Sequence, residues 1–574
     1  ANKNESTRNT AIGYYSLYAN TANDNTAVGY GAAAQNTTGY YNTAVGKGAL
    51  EDNQTGVHNT ALGYCALHEN EANNNTAVGI HTMLCNTSGT TNVAVGNYAL
   101  QASTTVDGNT VVGYAAGYAN TTGGCNTAVG RWALCSNTTG CRNAVLGADA
   151  MCLNTTGDFN TSIGYQSMFD NLSGYQNVAL GYAALADNTK GHNNTAIGES
   201  ALRKNIEANA NTAVGKSANA CNTTGEYNAS LGYLALNNNT TAGYSTAIGA
   251  CALFCNTTGT GNLAIGFCSL FANVTANNNV AVGDEAIRNN TTGASNVALG
   301  AHALLINTEG RHNQAMGTET LKCNTCGGCN IGIGTEALRS NSTGGNNIGI
   351  GHVAMYCNTI GERNIAIGIS SLYSNTSAHD NVGMGFRALC KTVTGAANTA
   401  LGSYALGANT YGCYNTAVGC GAMYNNTTGI CNEAVGRNAL IANTEGRCNV
   451  AVGNGALYSN TTGCYNIGIG ARSLLSNTTG CCNTAVGLLA LTTNTIGCYN
   501  VGIGARSLLS NTTGCCNTAV GLLALTTNTI GCYNVGVGTS TLEKNLSGGN
   551  NTAVGYAGLN DNTTGVGNVA IGMC

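Results

Sequence analysis

A period of 17 residues runs through the whole chain, and it limits what the chain can fold into. The pentad Asn-Thr-Ala-Val-Gly and its variants begin at Asn9, Asn25, Asn42, Asn59, Asn75, Asn92, Asn109 and Asn126, and recur as far as Asn551 and Asn568. From Asn75 onward every step is 17 residues, and two earlier steps are 16. There are 34 copies, one of which opens with Ser245 in place of Asn. The consensus unit is Asn-Thr-Ala-Val-Gly-x-x-Ala-Leu-x-x-Asn-Thr-Thr-Gly-x-x, and "position" below means the place within it, counted from the pentad Asn. Segments 466–499 and 500–533 differ only at Ile467 and Val501, which points to growth by copying whole units.

A helix does not suit this unit. Glycine stands at position 5 in every copy and at position 15 in most. Each would cost a helix roughly 1 kcal/mol relative to Ala. Strand logic fits better. Positions 2 and 4 carry Thr, Val, Ile or Leu in most copies and share one side of a strand, while the small residue of position 3 takes the other. We expect the side of positions 2 and 4 to face the core and position 3 to face away. There it would meet either a neighbouring protomer or the crowding of a thin coil. The Ala-Leu pair of positions 8 and 9, as in Ala49-Leu50, Ala133-Leu134 and Ala456-Leu457, reads as a second short strand. Asn-Thr-Thr-Gly reads as a corner.

One such coil cannot bury its own aliphatic residues, but stacked coils can. The predicted fold is therefore all-β, a parallel β-solenoid (β-roll) of about 34 coils with 17 residues each, rising about 4.8 Å per coil to a rod of about 160 Å. The asparagines of positions 1 and 12 are expected to stack as amide ladders. Residues 1–574 read as a single continuous repeat array with no capping domains. Ala1 falls at position 10 and Cys574 at position 7, so we expect either a piece of a longer array or end-to-end stacking of chains.

Composition agrees with this geometry and removes several classes of function. The 574 residues include 81 Gly and no Pro, and few coil positions can spare a backbone N–H. Only 8% are charged, and the net charge is −4, so no basic surface exists to neutralise a row of phosphates and no nucleic-acid partner is expected. No run of 18 apolar residues is present, so no membrane span is expected. Ala1-Asn2-Lys3-Asn4-Glu5 does not read as a signal peptide.

Units such as Asn42-Thr43-Ala44-Val45-Gly46 and Asn262-Leu263-Ala264-Ile265-Gly266 resemble the head repeats of trimeric autotransporter adhesins, which build a β-roll. The longer pattern, with Ala-Leu and Asn-Thr-Thr-Gly between pentads, is similar to the repeat shafts of viral tail-fibre-like proteins. The resemblance covers the whole chain and implies a fibrous architecture. The adhesin repeat is shorter, and the matching positions are structural, so the resemblance carries over no functional residue.

The 27 cysteines fall mostly at positions 7, 10, 11, 16 and 17. Cys464, Cys481, Cys498, Cys515 and Cys532 share position 16 in five successive coils. Cys431 and Cys448 share position 17, Cys135 and Cys152 position 10, and Cys251 and Cys268 position 7. A rise of about 4.8 Å lies within the Cα separation that a disulfide tolerates. Cross-coil disulfides are expected, as is a bridge across one corner between Cys135 and Cys141, and they imply an oxidising, extracellular setting. The other reading is a ladder of reduced thiols. Cys323-Asn-Thr-Cys326-Gly-Gly-Cys329 lacks the second half of a zinc site, so no metal is expected.

Asn-x-Ser/Thr begins at position 12 in Asn36, Asn53, Asn86, Asn120, Asn137, Asn154, Asn171, Asn222, Asn239, Asn256, Asn273, Asn290, Asn341, Asn375, Asn426, Asn460, Asn477, Asn511, Asn545 and Asn562. On exposed corners these are glycosylation candidates. The same tetrapeptide is also good turn chemistry, and both readings stand. Tyr recurs at position 6, in Tyr30, Tyr64, Tyr114, Tyr165, Tyr182, Tyr233 and Tyr556, either covering a corner or offering rings to surface glycans.

No phosphate loop, His-Glu-x-x-His or nucleophile elbow occurs, and the eight His are scattered. The chain reads as a non-enzyme with no cofactor. The expected function is the shaft of an extracellular fibre, on a cell or virion surface, that self-associates as an end-to-end filament or a homotrimer. A trimeric adhesin or tail-fibre shaft binding a host surface is the alternative. Ice binding by arrayed Thr is the second alternative, weighed down by the expectation that the position-2 Thr points inward.

Overall fold

The computed structural model describes residues 7–573. Its contacts divide the chain into two units, Ala1–Thr292 and Gly293–Cys574. Both are all-β parallel solenoids built from the expected coil. Each coil contributes one strand of three residues at positions 2–4, from β1 (Thr10–Ile12) to β17 (Val280–Val282) in the first unit and from β18 (Val297–Leu299) to β34 (Val569–Ile571) in the second. Within each unit successive strands pair in parallel with like positions aligned, as in Thr26↔Thr43, Ala27↔Ala44 and Val28↔Val45. No helix occurs among the described residues.

Coil-to-coil bonding extends well beyond the strand. Thr43 N donates to Asn59 O (2.8 Å), Gly46 N to Val28 O (2.8 Å) and Gly48 N to Tyr30 O (2.9 Å). Further round the coil, Leu50 N donates to Ala66 O (3.0 Å), Asp52 N to His68 O (3.0 Å) and His58 N to Tyr40 O (3.1 Å). The N–H groups of positions 2, 9 and 11 donate to the next coil and those of positions 5, 7 and 17 to the preceding one, so each coil is tied to both neighbours along the stacking axis.

The second short strand is not there. Positions 6–11 form a run of turns, and the Leu of position 9 sits at positive φ, for example 51° at Leu50 and 53° at Leu134. Left-handed backbone costs an L-residue roughly 1–2 kcal/mol. Burying a leucine side chain returns about 1.5–3 kcal/mol, and Leu50 and Leu134 are fully buried. The turn brings position 9 inward, where an extended strand would carry it past the core.

The strand itself faces the opposite way from expectation. Position 3 is the inward residue: Ala27, Ala44, Ala61 and their equivalents are buried in every strand but the first and the last, while positions 2 and 4 point outward. The coil is thin, and position 3 is small in most copies; where Val111 is buried there, position 9 of the same coil is Gly117, and Val145 is buried at position 3 as well. At Thr320, Ser371, Ser473, Ser507 and Thr541 of position 8, position 3 of the same or the next coil is Gly. A Cβ on Gly332 would stand 2.5 Å from Thr320 Cγ2, and one on Gly383 2.7 Å from Ser371 Oγ. The position-5 glycine is required for a different reason. At Gly46 φ is +136°, and a Cβ there would lie 2.2 Å from the carbonyl oxygen of Gly63 in the next coil.

Both expected asparagine columns are present, and both are buried. At position 12, Asn53 Nδ2 donates to Asn36 Oδ1 of the preceding coil (2.8 Å) and to Gly56 O of its own corner (3.1 Å). At position 1 the ladder runs through the main chain: Asn42 N donates to Asn25 Oδ1 (2.9 Å), and Asn42 Nδ2 reaches Gly56 O (2.8 Å). The two 16-residue coils each lose one corner residue without breaking the column, since Asn20 and Asn70 still reach Ala22 O and Ala72 O at 2.8 Å. Outside these columns, Thr hydroxyls of position 13 bond the next coil, as Thr138 Oγ1 does to Thr155 O (3.0 Å).

The exceptions identify the column as structural. Ser103 and Thr392 replace Asn at position 12, and the preceding Asn86 Oδ1 and Asn375 Oδ1 are then buried without a hydrogen-bond partner. Asn219 replaces Leu at position 9, and both of its amide atoms are buried and unpartnered. Restoring the donors by Ser103→Asn and Thr392→Asn should stabilise the flanking coils by about 1 kcal/mol each. Slower local amide exchange would show this, and unchanged exchange would count against the ladder. Asn219→Leu should slow exchange in its coil by a further about 1–3 kcal/mol, as two orphaned polar atoms leave the core.

Candidate interaction surface

The feature of this solenoid most unlike an ordinary soluble domain is its outward sheet face. Position 4 is Val, Ile, Leu or Met in all 34 strands, and in every one it points away from the core. Leu146 and Leu231 are about half exposed, at 50% and 49%. Position 2 beside it is Thr in eleven of the seventeen strands of the first unit. In the second unit it is more often aliphatic, and Ile331, Ile333, Ile348, Ile350, Ile365, Ile367, Val382 and Met384 form one uninterrupted aliphatic patch. The alternation of the strand was legible in the sequence. Its sense was not, because both sides are apolar and only the width of the coil decides between them. The position-2 Thr, expected to point inward, also faces outward, so its direction is no argument against ice binding.

The position-12 sequons do not sit on exposed corners. Nineteen of the twenty, from Asn36 through Asn545, are buried, and Asn562 is half-buried. Their Nδ2 atoms, to which a glycan would be joined, point into the coil. Asn137 Nδ2 donates to Asn120 Oδ1 (2.7 Å) and Gly140 O (2.9 Å), and Asn562 Nδ2 to Asn545 Oδ1 (2.8 Å). A sugar on that nitrogen would displace these bonds and the coil stacked on it. The motif is corner chemistry at these sites.

The cysteines are free thiols throughout the described residues. Register brings one candidate pair close: Cys135 Sγ lies 2.7 Å from Cys152 Sγ. Cys141 turns elsewhere, its sulfur donating to Thr139 O (3.2 Å), so the corner bridge to Cys135 does not form. Cys464, Cys481, Cys498 and Cys515 each donate their main-chain N–H to the sulfur of the next cysteine in the column, ending at Cys532, over 3.2–3.3 Å. Cys464 Sγ in turn reaches Thr462 O (3.3 Å), so this column bonds to main chain. Burial pushes the Cys268 and Cys448 thiols up, and the neighbouring Cys251 and Cys431 add to the effect. Cys323 is half-buried while Cys326 and Cys329 are exposed, and no group of three metal-ligating side chains gathers among the described residues.

Position-6 tyrosines lie exposed along one edge and lean on rings of adjacent coils. Tyr165 stacks on Tyr182 with centroids 5.9 Å apart. A longer row runs from Tyr64 through His81, Tyr98 and Tyr114 to Trp132 at 5.2–5.8 Å.

The Cys135–Cys152 pair has a measurable consequence. A hydrogen bond from the Cys152 thiol favours the Cys135 thiolate, lowering Cys135 to about 7, and pushes Cys152 up. Because the charged form appears above its pKa, alkylation of Cys135 should rise with pH through about 7. In Cys152→Ala that midpoint should move up toward an ordinary thiol, and an unmoved profile would break the assignment. The pH–rate profile is read by mass spectrometry of the Cys135 peptide. Comparison of the chain with protein-family models and with curated proteins finds no match.

Proposed function

We propose that the chain is the shaft of an extracellular fibre, a structural element rather than a catalyst. The observation that carries this reading is the direction of its hydrogen bonds. From each coil to the next, main-chain bonds at positions 2, 5, 7, 9, 11 and 17 run along the stacking axis, joined by both asparagine columns. Pulling two coils apart loads all of them in parallel, so they must fail together. The same pattern repeats in both units with only isolated substitutions such as Ser103 and Thr392. Cysteines stacked at common positions support a setting in which stitching by oxidation adds to this strength, the Cys135–Cys152 contact above all.

Electron cryo-microscopy of material purified without reductant tests the reading. Filaments built of this solenoid alone would support it. Discrete three-chain rods ending in a separate tip would instead support a trimeric adhesin or tail-fibre shaft that holds a host-binding tip away from its base.

A further inference from the structure

We propose that the outward sheet face of each unit is a lateral interface with a second copy of this chain, sheet against sheet. The inference rests on the surface alone and holds whether or not the chain is a fibre shaft.

Chemistry comes first. In the first unit, positions 2 and 4 of all seventeen strands carry only Thr, Ala, Val, Leu and Ile. In the second unit the same positions hold a single charge, Glu433, and a single amide, Gln314. Charged pairs lie at other positions, as Lys190 with Glu207, Lys216 with Glu199 and Arg363 with Asp380 do. So few charges are spread over the chain that keeping them off one face is itself a pattern. A nucleic acid, an acidic peptide or a charged headgroup would find no partner there.

Area comes second. Seventeen strands about 4.8 Å apart and three residues long present about 800 Å² in each unit. About half of that face is the unbroken aliphatic row of position 4, joined in the second unit by mostly aliphatic residues at position 2, and monomeric soluble proteins leave contiguous apolar patches of only about 300–600 Å² in water. A standard stable interface takes about 800 Å² from each partner, so one unit's face is large enough.

Fit comes third. The strands are in register, so the aliphatic row has one side chain per coil at constant pitch. A second copy has the same pitch, and two such faces packed about 10 Å apart can interdigitate along their length. Any other partner would need to match that repeat. In the second unit the patch around Ile333, Ile350 and Ile367 would form the driest part of its contact; in the first unit the Thr row would bond across its own contact or to water.

The test is the mass of the full chain in solution, measured by light scattering under reducing conditions so that no disulfide joins copies. Wild type should run at twice the 57.9 kDa of the chain. The variant Leu146→Glu, Leu231→Glu, Ile333→Glu and Met384→Glu charges this face alone and should run as a single chain with unchanged circular dichroism. A control charged elsewhere, Thr139→Glu, Thr224→Glu, Thr462→Glu and Thr513→Glu, should stay paired. Hydroxyl-radical oxidation of Met384 in the wild type gives a readout that needs no variant: protection should rise with concentration. A single-chain mass with Met384 equally oxidised at every concentration would overturn the proposal. A three-chain mass would overturn the paired geometry. Thermal hysteresis from an unpaired chain would assign the face to ice instead.

Discussion

Two buried columns of asparagine hold each solenoid together. A side-chain amide has a donor and an acceptor pointing in different directions, so a stack of identical amides can satisfy itself indefinitely. Position 12 uses that property directly, each Nδ2 meeting the Oδ1 of the coil before it. Position 1 uses it through the main chain, each Oδ1 taking the N–H of the next coil's Asn. Ser245 keeps the main-chain bond at position 1, but its shorter side chain stretches it to 3.4 Å. Such columns tolerate no change of register, because a slip of one residue would orphan every amide in a dry interior. The period of 17, broken only by two coils that drop one corner residue and keep the columns aligned, is the record of that constraint in the sequence.

Around the columns the coil is small. Its interior holds the Ala of position 3, the Ala and Leu of positions 8 and 9, and the two amides. Small side chains fill most of that space, although Val111, Val145 and Ile287 are accommodated inside, and the residues of positions 2 and 4 go outside. Hydrophobic burial here is therefore limited by space rather than by supply, the reverse of the usual case. Main-chain and amide hydrogen bonds make up the difference, and a long apolar face is left at the surface. The same tight interior explains the glycine of position 5, whose neighbour in the next coil leaves no space for a Cβ.

Reuse of one tetrapeptide also reshapes its chemical meaning. Asn-Thr-Thr-Gly is at once a sequon and a corner, and the fold uses it as a corner, with the Asn amide turned inward to the position-15 carbonyl. Cysteine stacking is equally dependent on where the sulfur points. Position 10 brings Cys135 against Cys152, while position 16 turns its sulfurs to the main chain.

Much of this was legible in the sequence. The invariant position-5 glycine, the alternation of positions 2–4 and the recurring Asn were enough for a parallel solenoid, its register and both amide columns. These follow from local geometry repeated, and repetition makes a local rule global. What the sequence left open is everything that depends on the width of the coil. Thr43, Ala44 and Val45 alternate whichever way they face. Leu50 is apolar whether it lies in a strand or in a left-handed turn, and Asn53 is a sequon whether its amide is in water or in the core. Only the tertiary structure decided these points, because only there does the coil close on itself, so that the left-handed turn carries the position-9 side chain inward against the position-3 side of the strand and leaves positions 2 and 4 outside.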